Sequence, residues 1–139
     1  MKPWIRWVFI PGALATLATC ALVEGTCACT RVAPAVIVAG QAVDSTGVEL
    51  GGVRVGLQVR DPTCATDLTP PLSVLTDSVG EFVLYRDGIA EGTDVCAEVE
   101  GLRFSVSAVD TVRISGIPLT AGFGEAHDVD LVFPHRPGP

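Results

Sequence analysis

Few side chains in this sequence can do chemistry, and they are scattered. Two histidines (His127 and His135), one tyrosine (Tyr85) and five cysteines (Cys20, Cys27, Cys29, Cys64 and Cys96) stand among sixteen Asp and Glu. His127, Asp128 and Asp130 have donor types that suit a divalent ion, but a period of two sends His127 and Asp128 to opposite faces of a strand, so a capped or solvated strand is expected. Glu98 and Glu100 share a face. General acid catalysis by such a pair also needs a cleft that drives the two pKa values apart, so an exposed acidic stripe is the expectation here. Asp44 and Asp77 resemble calcium-loop carboxylates in type, yet each opens a turn, where its side chain bonds the backbone. No Ser lies in a Gly-x-Ser-x-Gly setting. The chain is therefore expected to carry no catalytic residue, no cofactor and no metal.

The cysteines divide by position. Leu17-Ala18-Thr19-Cys20 closes a segment that begins with Lys2 and Arg6 and continues as an apolar run to Ala18, the layout of an export signal. Its end resembles the bacterial lipobox, with Thr19 in place of the usual small residue, which makes Cys20 the expected lipidation site and ordinary cleavage near Ala21 or Gly25 the rival. Several acyl chains would then hold the protein at a membrane. Cys27, Cys29, Cys64 and Cys96 remain as an even set suited to an oxidising compartment. Cys64 with Cys96 is the expected bridge within the domain, closing a loop worth about 3.5 kcal/mol in chain entropy. Cys27-Ala28-Cys29 lacks the neighbouring His or second Cys pair that a tetrahedral metal site needs.

Composition and charge narrow the function classes. The chain has 139 residues, 48% hydrophobic and 18% charged, with a formal charge of −7. The two leader cations aside, seven Arg face sixteen acids, and nothing forms the clustered basic stripe that nucleic acid requires. Hydrophobicity at this level excludes disorder. Val, Gly, Thr and Pro dominate over good helix formers, which favours strands.

The elements that must position these residues follow from the alternation. Residues 36–43 read as a strand ended by Asp44-Ser45-Thr46-Gly47, and Val53, Val55, Leu57 and Val59 alternate with Arg54, Gln58 and Arg60 in the clearest strand. Residues 61–71, with three prolines and Cys64, read as a loop. Further strands are expected at 72–76, at 81–86 with Phe82 and Leu84 inward, and at 94–100 with Cys96 facing outward or toward a covering loop. Others follow at 103–106, 111–114 and 126–133. The predicted organisation is a signal peptide over 1–19, a tether over 20–34, a β domain over 35–134 and a disordered tail over 135–139. Turn signals about every ten residues and no helical period predict an all-β, antiparallel, seven-stranded or similar sandwich.

The segment Val38-Ala39-Gly40-Gln41-Ala42-Val43-Asp44, then Gly47 and Gly52-Val53-Arg54-Val55, and later Thr76-Asp77-Ser78-Val79-Gly80-Glu81-Phe82, resembles the carboxypeptidase regulatory-like, transthyretin-like family of β-sandwich domains. The resemblance covers about residues 36–84 and implies a fold, not a chemistry. Enzymes on related sandwiches make residue demands that the inventory does not meet. A hydroxyisourate hydrolase looks for several His and Arg and a Tyr-Arg-Gly-Ser end, whereas this chain ends His135-Arg136-Pro137-Gly138-Pro139. An intradiol dioxygenase takes two Tyr and two His as iron ligands, and only Tyr85 is present. An isopeptide crosslink needs Lys and Asn, but the one Lys is Lys2 and Asn is absent. The sequence thus predicts an exported, lipid-anchored or secreted, non-catalytic module of the cell envelope. It would bind an envelope protein or a carbohydrate through loops 61–71 and 115–125, with no nucleic-acid partner. An envelope spacer, or a hydrolase using Glu98 and Glu100, is the alternative.

Overall fold

The computed structural model describes residues 22–23, 26–27 and 33–137. The expected signal segment, Cys20 and Cys29 lie outside the described residues. Leu22–Val23 (β1) and Thr26–Cys27 (β2) pair with each other as a short antiparallel ladder. The rest of the described chain is a separate unit of seven strands. These are β3 (Ala35–Asp44), β4 (Arg54–Arg60), β5 (Leu72–Leu75), β6 (Glu81–Asp87), β7 (Asp94–Phe104), β8 (Val109–Thr120) and β9 (Ala126–Phe133). They form a three-stranded sheet ordered β6-β3-β9 and a four-stranded sheet ordered β5-β4-β7-β8. The all-β sandwich is as the alternation predicts.

Period-two burial joins the layers. Val53, Val55, Leu57 and Val59 from one sheet meet Val36, Val38, Phe82, Leu84, Leu131 and Phe133 from the other, all at 4% exposure or less. Removing such side chains from water at about 25 cal/mol per Å² supplies the main drive to fold. The buried hydroxyl of Thr76 is satisfied twice, donating to the Leu50 carbonyl at 2.7 Å and accepting from the Val53 amide at 3.0 Å. Gly40 marks the tightest approach, because a Cβ there would overlap the Val129 carbonyl and reach the Phe82 ring.

Three local features depart from the alternation. One ladder is parallel: β9 runs beside β3 in the same direction, from Ile37 opposite Ala126 to Asp44 opposite Phe133. The cause is the crossing after β8, where Gly122 bridges to Ala35 and delivers the chain to the start of β3. The strands expected at 103–106 and 111–114 are the arms of a longer hairpin, since Arg103 and Phe104 continue β7 opposite Asp110 and Val109 of β8. Past the end of β9, the Arg136 guanidinium grips Asp110 through two bonds of 2.6 and 2.5 Å.

Candidate functional site

Cys64 and Cys96 come together with Cα atoms 5.2 Å apart. Cys96 lies on the face of β7 opposite Val95 and Ala97, and the loop after β4 folds over it. That loop is built on Asp61. Its carboxylate accepts from the Ala65 amide at 2.8 Å, the Thr66 amide at 3.1 Å and the Thr63 hydroxyl at 2.8 Å. The Thr66 amide and the Thr63 hydroxyl lead in holding the Asp61 carboxyl below the usual carboxylate range. The closure puts Cys64 at φ 62°, a left-handed conformation that a non-glycine residue adopts at a cost. Arg60 fastens the far side of the loop through Asp67 at 2.8 Å.

A recess of about 620 Å³ opens beside this pair, within the range that small-molecule sites occupy. Its walls are apolar at Val36, Ile37, Val95, Pro118 and Leu119, and polar at Asp94, Thr120, Glu125 and His127. The strands explain the convergence. Asp94 and Thr120 sit opposite each other at the ends of β7 and β8, and the Thr120 hydroxyl donates to Asp94 at 2.7 Å. In β9, Val129, Leu131 and Phe133 face the core, and the same period carries His127 to that side at the exposed end of the strand. Glu125 lies two residues earlier. The arrangement supplies an imidazole and two carboxylates around a partly apolar hollow, the residue types that acid–base chemistry uses.

The other predicted residues are occupied elsewhere. Glu98 accepts from Arg60 at 3.3 Å and lies 3.7 Å from Arg113, which also clasps Glu100 through its Nε at 2.9 Å. This pairing of both carboxylates with guanidinium groups removes the separated acid and base that the hydrolase alternative needs. Asp128 and Asp130 line a groove on the outer face of β3 with Ala39 and Gln41, away from the His127 side. Among the described residues no group of three or more His, Cys, Asp or Glu is placed to hold a metal ion. Asp77 accepts from the Val79 and Glu81 amides at 3.0 and 2.8 Å, an ordinary turn role. Both expected contact segments wall the recess, Pro62 and Cys64 from 61–71 and Pro118, Leu119, Thr120 and Glu125 from 115–125, although residues 115–120 belong to β8 rather than to a loop.

Asp44 does more than its turn requires. It accepts from the Thr46 amide and hydroxyl and the Val48 amide, and its second oxygen lies 2.7 Å from His135 Nδ1. The His135 contact, followed by the Thr46 hydroxyl, pulls this carboxyl far below its ordinary value. Sequence reasoning missed both this link and the gathering of Asp94, Thr120 and Glu125 near His127. The first joins residues 91 positions apart, and the second depends on which strand ends adjoin.

No family model matches the chain, and no curated protein matches it either. Among solved structures, the chain is similar to the dioxygenase domain of a dioxygenase carbohydrate-binding protein fusion from the cellulolytic bacterium Streptomyces sp. SirexAA-E. The two are 19% identical over 76% of this chain and 82% of that one, with a TM-score of 0.49. It is also similar to 3-chlorocatechol 1,2-dioxygenase from Rhodococcus opacus 1CP, at 11% identity over 75% of this chain and 62% of that one, with a TM-score of 0.46. Both neighbours are named as dioxygenases, contrary to the expectation of a non-catalytic binding module, and the hydrolase alternative gains no support from them. The likeness is one of fold, and no residue role passes across it. The ligands of an intradiol iron centre are not gathered here. Tyr85 pairs across from Ile37 on the outer face of the three-stranded sheet, His127 turns to the opposite side, and His135 is bonded to Asp44 at the other end of β9.

Proposed function

We propose that the protein is an enzyme acting on a small molecule in the recess beside Cys64 and Cys96, with His127 as the group that moves a proton to or from the substrate. The observation that carries this reading is the recess itself. It combines concave volume, apolar walls and an exposed imidazole whose ring makes no hydrogen bond within the described residues, in contrast to His135 on Asp44. An imidazole exchanges protons near neutral pH more readily than any other side chain. Asp94 and Glu125 provide polar anchors for a substrate, while Val36 and Leu119 exclude water from its apolar part.

The scaffold is, in this reading, of the carboxypeptidase regulatory-like type. The turns at Asp44–Gly47 and Asp77–Gly80, with Phe82 filling the space between sheets, support that assignment. The protein works outside the cytosol, attached through Cys20. The export-like leader and the joined cysteines Cys64 and Cys96 support this location.

The test is turnover of small-molecule panels by the full chain, parent against His127→Ala and His127→Gln, with the fold checked by near-ultraviolet circular dichroism. The reading expects turnover in the parent and a drop of about 100-fold or more in both variants, the usual contribution of a proton-transfer group. Full activity in folded His127→Ala, or an inactive parent, overturns it.

A further inference from the structure

We infer that the recess selects an organic cation, an amine carrying a compact apolar body. This rests on the recess being the working site and names the ligand class it takes. The formally charged side chains on its wall are Asp94 and Glu125, and among the described residues no Lys or Arg lines it. Among the described residues Arg60 is engaged by Asp67 and Glu98, Arg113 by Glu100 and Arg136 by Asp110, while Arg86, opposite Val36 in the ladder, is turned to the Pro70 carbonyl. Asp94 receives the neutral hydroxyl of Thr120, and among the described residues it forms no salt bridge. Two carboxylates on a concave wall of low polarisability focus a negative potential into the hollow, which attracts cations and repels anions. Pro118 and Leu119 beside them give the apolar part of the ligand a surface on which to bury area. An inorganic cation leaves that surface unused, and a neutral molecule leaves both carboxylates unpaired.

The discriminating experiment is calorimetric titration of the full chain with benzylamine, benzyl alcohol and benzoate, which share one apolar body and differ in charge. The inference expects benzylamine to bind at least about tenfold more tightly than benzyl alcohol, with benzoate weakest. That preference should shrink in 0.5 M salt, since screening lengths fall to a few ångströms. Asp94→Asn and Glu125→Gln should each weaken benzylamine about three- to tenfold and leave benzyl alcohol unchanged. Asn keeps the acceptor for Thr120, so the strand ends stay joined. Equal binding of the three probes, no binding of benzylamine, or indifference to both substitutions overturns the inference. The two readings fail separately. If benzylamine binds in the expected order while His127→Ala retains turnover, the enzyme reading falls and the ligand class stands. If turnover needs His127 while benzoate binds as well as benzylamine, the ligand class falls and the enzyme reading stands.

Discussion

Replacing Cys64 and Cys96 together by serine removes the covalent tie between the loop after β4 and the middle of the four-stranded sheet. The two cysteines are separated by 32 residues. Closing a loop of that length takes roughly 3.5 kcal/mol of entropy out of the unfolded chain. The native loop keeps its other restraints, namely the Asp61 bonds, the Arg60–Asp67 pair and the Leu68 amide on the Val59 carbonyl at 2.9 Å. Its folded geometry therefore survives, and the loss is felt mainly through the unfolded state. For a domain of about 100 residues each kcal/mol moves the melting temperature by about 4–8 °C, so a fall of roughly 15–25 °C is expected. Urea denaturation of the parent with and without reductant, beside the double variant, measures it. The reduced parent and the double variant should agree within about 1 kcal/mol, the usual error of such extrapolations. A loss below about 1 kcal/mol would refute the reasoning, because the tie would then contribute none of the entropy its loop length implies.

Other outcomes follow from particular contacts. Gly40→Ala forces a methyl into the Val129 carbonyl and should cost more than about 4 kcal/mol or abolish folding, read by denaturation. Leu131→Ala, at a fully buried site, should cost about 2–5 kcal/mol in the same assay. The Asp44 carboxyl is depressed below its ordinary 3.8 by His135 and the 44–48 turn, so its contribution is full above about pH 4 and is lost as pH falls through the folded value. Asp44→Asn should lower stability at neutral pH and flatten the decline between about pH 4 and 2, as followed by thermal melts across pH. Glu98→Gln with Glu100→Gln should leave turnover unchanged, since both carboxylates are engaged by arginines.

The layered fold was legible because its signal is local. The alternation in residues 53–60 and the inward Phe82 and Leu84 dictate which faces meet. The turn acids Asp44 and Asp77 were legible for the same reason, their partners lying within four residues. Parity set Cys96 off the core face, outward or toward a covering loop, and the contact with Cys64 in the proline-marked segment 61–71 decides for the loop. The parallel run of β9 along β3 left no such mark, since period two is the same for either direction of pairing. Nor did the recess, whose polar wall joins the start of β7, the end of β8 and the start of β9. That conjunction is set by strand order, and His127 read alone is one exposed residue at the edge of an acidic strand. His135 illustrates the same limit, because nothing near it in sequence predicts Asp44 as its partner.

Methyl and amide NMR of the isotope-labelled full chain, titrated with benzylamine, tests the site assignment most directly. The account predicts that shift changes concentrate at Val36, Leu119, Ala126 and His127 around the recess. Changes confined to the outer face at Ala39, Val83 and Asp128, or spread evenly over the surface, would contradict it.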